Sequence, residues 1–148
     1  MSEPSSYSYL RYLRAKETVD ERARNERVWS EFIEQLTRRS TSPLHILEVG
    51  AGEGATAERI LDALHERPVP DVEYTLVDVV PEHLDAAANR LRQWANDKGL
   101  ESSREGEEIT LSGETTLSLR FVPADLFDFA RTHNGRFDTV VAQAVLKI

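Results

Sequence analysis

Apolar residues recur at helical spacing in the first part of the chain and at strand spacing further on. Residues 7–39 read as helical, and Val28, Trp29, Phe32, Ile33 and Leu36 fall on one stripe that predicts a buried side. T-V-D-E at residues 18–21 has the form of a capping box, so a second helix is predicted to start near Thr18 after a short first one. Pro43 restricts Ser42 and closes the helical region. L-H-I-L-E-V, residues 44–49, then predicts a short buried strand, and Ala57, Ile60, Leu61 and Leu64 give a helix over 55–64 one apolar side. V-E-Y-T-L-V-D-V, residues 72–79, predicts a second strand. Pro81 suits the first position of a helix that carries Leu84, Ala87, Ala88, Leu91 and Trp94. Residues 96–108 are polar and glycine-broken, with no element predicted there. Alternation returns over 108–122 around S-G-E-T, a hairpin feeding a third strand at 117–122. A helical turn at 126–130 and a fourth strand at 137–145 follow. Strands alternating with helices predict an α/β fold with a mainly parallel sheet.

Size and composition narrow this picture. A chain of 148 residues, 40% hydrophobic, makes one domain with a sizeable core, here divided into a helical segment 1–40 and a globular part 41–148. The absence of cysteine removes disulfides, thiolate nucleophiles and cysteine-ligated metal sites. The amino-terminal stretch does not resemble a signal peptide and no run approaches a membrane span, so a cytoplasmic location is expected, with no membrane partner. The net charge is −8, and residues 41–148, with ten Lys/Arg against nineteen Asp/Glu, carry all of the acidic excess. Because phosphate neutralisation by lysine and arginine supplies most non-specific affinity for nucleic acid, an acidic face argues against such a partner.

The candidate chemistry sits directly behind the first strand. L-E-V-G-A-G-E-G-A, residues 47–55, places Glu48 ahead of Gly50, Ala51, Gly52 and Gly54, between a strand and a helix. Glycine lets backbone turn sharply and approach a ligand with no Cβ in the way, and ligands of open α/β sheets bind beyond the carboxyl ends of the strands. Tight turns that bind nothing also use glycine. Asp78 ends the second strand, where a carboxylate can accept from both hydroxyls of a ribose, and Asp125 follows the third in V-P-A-D-L-F. Each could instead cap a helix or sit solvated in a turn. His45, His65, His83 and His133 have no metal-site spacing and read as structural or solvated, so no metal is expected.

These segments together resemble the class I S-adenosylmethionine-dependent methyltransferases. Residues 47–54 look like that family's E/D-x-G-x-G-x-G motif. Residues 74–91 resemble its second strand and following helix, and V-P-A-D-L-F-D-F and F-D-T-V-V-A-Q-A-V-L its third and fourth strand ends. The resemblance implies a Rossmann-like sheet with strands 3-2-1-4 of the family order 3-2-1-4-5-7-6, a hairpin insertion before strand 3, and S-adenosylmethionine as cofactor. It places Gly50 and Gly52 beside the methionine part, with Glu48 near its amino group. Asp78 then holds the ribose and Val79 lies against adenine. Asp125 accepts from the adenine amino group, the Leu126 amide faces a ring nitrogen, and Ala142 and Gln143 lie near the methyl donor. Gln143 departs from the acidic or asparagine-containing motifs found there in some subfamilies, and no catalytic base carries over.

A small-molecule methyl acceptor is the expectation. Two other readings stay open: a non-catalytic cofactor-binding or interaction module, and an NAD-dependent dehydrogenase domain. G-A-G-E-G-A also fits the nicotinamide fingerprint, although Asp78 lies beyond its usual spacing of about 20 residues. The strands found stop at the fourth, which leads to the expectation of a truncated sheet, completed by a missing carboxyl-terminal half or by a second copy through that strand. Tyr7, Tyr9, Arg11, Tyr12 and Arg14 lead to the further expectation of a lid over the cofactor.

Overall fold

The computed structural model describes residues 19–38, 43–67, 71–132 and 137–142. In chain order they form α1 (Val19–Arg38), β1 (Leu44–Val49), α2 (Ala55–His65), β2 (Val72–Asp78), α3 (Pro81–Asp97), β3 (Glu101–Glu105), β4 (Glu108–Ser112), β5 (Thr116–Pro123), α4 (Leu126–Thr132) and β6 (Thr139–Val141). The strands make one mixed sheet in the order β3-β4-β5-β2-β1-β6. The parallel centre β5-β2-β1-β6 is the expected Rossmann-like arrangement. To it β4 and β3 are added antiparallel, beyond β5.

Period-two alternation sorts the strands onto two faces. Leu44 and Ile46 of β1, Tyr74 and Leu76 of β2, and Leu119 and Phe121 of β5 share one buried core with Ile60, Leu61 and Leu64 of α2 and Ala87, Ala88 and Leu91 of α3. Leu47, Val49 and Val77 point the other way, onto Phe129 of α4. Two polar contacts clasp α2 to α3 over the first face: the Trp94 indole N–H donates to Asp62 Oδ1 at 3.0 Å, and Lys98 Nζ lies 3.0 Å from the same oxygen. The indole hydrogen bond, then the lysine, hold the Asp62 carboxyl below its ordinary range.

The structure departs from the sequence pattern in three places. Residues 101–105, read as part of a polar connection, form β3. Every residue of this strand is exposed, so no apolar alternation marks it, and its backbone pairing with β4 supplies the order. Val28 does not share the buried stripe of α1: it is 62% exposed, while Ile33 and Leu36 are buried and Trp29 and Phe32 pack partly against the core. At 100° per residue, Val28 stands about 140° round the helix from Ile33. The fourth parallel strand, expected over 137–145, is described as Thr139–Val141, and residues 143–148 lie outside the described residues. The proposed lid residues 7–14 and His133 also lie outside them. Among the described residues no helix is long and apolar enough to cross a membrane.

Candidate functional site

Because β1, β2, β5 and β6 run parallel, their carboxyl ends meet at one edge, bringing together residues 50–54, Asp78–Val80, Ala124–Leu126 and Ala142. The chain proceeds from β1 to β2 to β5 on one side and then returns to place β6 on the other side of β1. That reversal is the point at which open α/β sheets bind ligands.

The loop after β1 has Gly50, Gly52 and Gly54 at φ of +66°, +61° and +91°, the left-handed region that favours glycine. The Ala51 amide donates to the Val77 carbonyl at 3.0 Å, which ties the loop to β2. Two of the glycines are needed for different reasons. A Cβ built at Gly54 would stand 3.0 Å from Ala87 Cβ and 3.1 Å from its Cα, so α3 packs directly on the loop there. A Cβ at Gly52 would meet nothing within 4 Å, so this part of the loop opens outward.

Asp78 is 8% exposed, and each of its carboxylate oxygens takes one backbone amide. Its Oδ2 accepts the Gly52 amide at 2.8 Å and its Oδ1 the Val80 amide at 2.9 Å. It therefore joins the glycine loop to the start of α3, whose positive end favours a carboxylate. His83, in the first turn of α3, brings its buried Nδ1 to 3.3 Å from Oδ1 without a hydrogen bond. The sequence pattern marks this histidine only as structural or solvated; its position five residues after Asp78, in the first turn of α3, is the signal that could have found it.

Glu48 is 1% exposed, on the same face as Asp78. The Tyr74 hydroxyl donates to its Oε1 at 2.7 Å. Burial pushes the Glu48 carboxyl up to about 7; the Tyr74 hydrogen bond opposes this and the Asp78 charge adds to it. Burial likewise raises the Tyr74 phenol, with Glu48 adding to the rise. The sequence shows Tyr74 only as a strand residue, because its relation to Glu48 depends on the β1–β2 register, which pairs Ile46 with Tyr74 and Glu48 with Leu76.

Asp125 is exposed, and its Oδ1 accepts the Asp128 amide at 2.8 Å, the helix-capping role that the sequence left open. Val79 and Leu126 are 63% and 41% exposed at the same edge. The structure thus gathers Glu48, Gly50, Ala51, Gly52, Gly54, Asp78, Val79, Asp125 and Leu126 at or beneath the carboxyl edge of the sheet, whereas Gln143 lies outside the described residues. A separate cavity of about 440 Å³, lined by Leu61, Leu64, His65, Lys98, Leu100 and Leu117, lies at the amino edge and shares no residue with this group.

Residues 47–148 match the model of a methyltransferase-domain family. The chain is 41% identical over 66 residues to citrinin polyketide synthase of Monascus ruber, covering 43% of this chain and 2% of that protein. It is 40% identical over 53 residues to the non-reducing polyketide synthase pkdA of Emericella nidulans, covering 36% and 2% of the respective chains. To 3-methylorcinaldehyde synthase of a Phoma species it is 46% identical over 48 residues, 32% of this chain and 2% of that protein. The matched segment is a small part of each of these relatives.

Proposed function

The chain belongs to the methyltransferase-domain family, and from that premise we propose that it binds S-adenosylmethionine at the carboxyl edge of its sheet and transfers the methyl group to a small organic acceptor. The observation that carries the cofactor reading is the join between loop and carboxylate, with the Gly52 amide on Asp78 Oδ2 at 2.8 Å. It fixes the open backbone at Gly52 beside a carboxylate at the ends of adjacent strands.

The residues present fit the group. Gly52 leaves space where a side chain would stand. Each Asp78 oxygen accepts one backbone amide, and a carboxylate has about four acceptor sites, so capacity remains for two ribose hydroxyls. Val79 and Leu126 offer exposed apolar surface for adenine. The Asp125 oxygen that does not take the Asp128 amide serves the adenine amino group, and Glu48 lies on the side of the amino-acid end. When bound, the sulfonium supplies an electrophilic methyl group. The work left to this chain is to bind, orient and exclude water, which needs no nucleophilic side chain or metal. The acidic charge of −8 disfavours a nucleic-acid acceptor, and the polyketide synthase relatives favour a small organic one.

Calorimetric titration with S-adenosylhomocysteine and NAD tests this reading. We expect the first to bind and the second not to. Asp78→Ala removes two charge-assisted acceptors of the ribose and the anchor of Gly52, and weakens binding at least about tenfold. Unchanged affinity in an Asp78→Ala protein whose circular dichroism shows it folded, or a preference for NAD, overturns the assignment.

A further inference from the structure

Tyr74 has no role in the reading above, yet its geometry is directed at a residue that does. It is fully buried in β2, and its hydroxyl reaches across to β1, 2.7 Å from Glu48 Oε1. Glu48, 1% exposed, faces few charges. From β2 it meets Tyr74 and, at the strand end, Asp78; from α3, His83 lies against Asp78 rather than against Glu48. Arg90 of α3 and Glu58 of α2 pair with each other at 3.1 Å on the exposed side. On the sheet face that carries Glu48, α1 supplies the apolar Ile33 and Leu36 and β6 supplies Thr139 and Val141, while Val140, paired with Leu47, points to the other face. Among the described residues no lysine or arginine pairs with Glu48, so the Tyr74 hydroxyl is the group that favours its charged form.

We propose that Tyr74 is a positioning residue for the ammonium end of the ligand: its hydroxyl orients Glu48 and stabilises the carboxylate that an ammonium group needs, so that binding expels the Glu48 proton to solvent. The inference rests on the cofactor site proposed above. Below about pH 7 the Glu48 carboxyl keeps its proton, and an arriving ammonium must displace it. Affinity for an ammonium-bearing ligand therefore rises with pH, by up to about tenfold per unit, and levels off once Glu48 is ionised. Removing the Tyr74 hydroxyl moves that rise to higher pH.

The test compares S-adenosylhomocysteine with 5′-methylthioadenosine, which keeps the adenosine and lacks the amino-acid end, by calorimetry from pH 5.5 to 8.5 in buffers of different ionisation enthalpy. In the wild type, S-adenosylhomocysteine should release close to one proton on binding at pH 5.5 and about half a proton near pH 7, and 5′-methylthioadenosine should release none. Tyr74→Phe should weaken S-adenosylhomocysteine at least about fivefold at pH 7, with recovery as pH rises, because a hydrogen bond to a charged group shifts its titration by a unit or more. It should leave 5′-methylthioadenosine unchanged. Glu48→Gln keeps an acceptor for Tyr74 and should bind S-adenosylhomocysteine weakly at every pH, with no proton released. If both nucleosides bind the wild type but Tyr74→Phe keeps the wild-type pH profile, or weakens both ligands equally, Tyr74 only packs and the inference falls while the site stands. If neither nucleoside binds the wild type, the site reading fails and takes this inference with it.

Discussion

Glu48 occupies a place where charge is costly, and that cost is measurable without any ligand. Its carboxyl is raised from 4.5 to about 7 by burial, so the folded state holds the proton more tightly than the unfolded chain does. This favours folding fully below about pH 4.5 and fades as pH rises towards 7, a loss of about 3 kcal/mol in all. Glu48→Gln, neutral throughout, lacks that dependence. We expect urea unfolding to show the variant gaining on the wild type by about 2–3 kcal/mol between pH 5 and pH 8. An equal difference at both pH values would mean that Glu48 titrates in the folded protein as it does in the unfolded chain. At this scale the sequence displayed Glu48, Asp78 and Asp125 as candidates, because their positions relative to strand ends are local. It did not display the Tyr74 contact, which joins residues 26 positions apart and exists only in one strand register. Nor could it decide between a ligand and a cap for Asp125, since three-residue spacing to Asp128 serves either.

Among the elements, the glycine loop was legible as strand, loop and helix, but the separate demands on its glycines come from tertiary packing. Gly54 lies under the backbone of α3, whereas Gly52 faces open space. Alanine in the left-handed region costs about 1–2 kcal/mol at either position. Gly54→Ala adds a clash with Ala87 Cα at 3.1 Å, which a helix backbone relieves only by moving, so it should destabilise clearly more than Gly52→Ala. Gly52→Ala should instead act chiefly on the ligand, because its methyl group occupies the open side of the loop and weakens S-adenosylhomocysteine in a protein that loses only the left-handed strain energy. Equal destabilisation by both variants in denaturant titrations would contradict the packing of α3 on the loop. The antiparallel extension shows the opposite case. β4 and β5 alternate and were readable, while β3, with Glu, Ser, Ser, Arg and Glu all exposed, is a strand only because Gly106, at φ +62°, turns the chain back along β4. Helix α1 sits between these cases: its apolar spacing revealed the helix, and only contact with α2, including Arg59 stacked 3.8 Å over the Trp29 ring, decides which of its apolar residues are covered.

For the whole molecule, the two ends of the sheet differ in a way that bears on association. At one end β3 presents Glu101, Arg104 and Glu105, charges of the kind that discourage pairing with another strand. At the other, β6 carries Thr139, Val140 and Val141, with Val140 59% exposed and no charge, and among the described residues it pairs only with β1. The parallel centre was legible because each of its strands is locally apolar. The asymmetry of the ends was not, since it depends on the charged β3 closing one side. The second-copy proposal therefore makes a specific demand: a second chain should join along β6 and not along β3. Hydrogen exchange read at several protein concentrations separates the possibilities. Amides of Leu47, Leu76 and Val77, in the middle of the sheet, should be protected at every concentration. Protection in β6 should rise with concentration, and Val140→Lys should abolish that rise by placing a charge on β6. Concentration-dependent protection in β3, or β6 amides whose exchange ignores both concentration and the lysine, would rule out pairing through this edge.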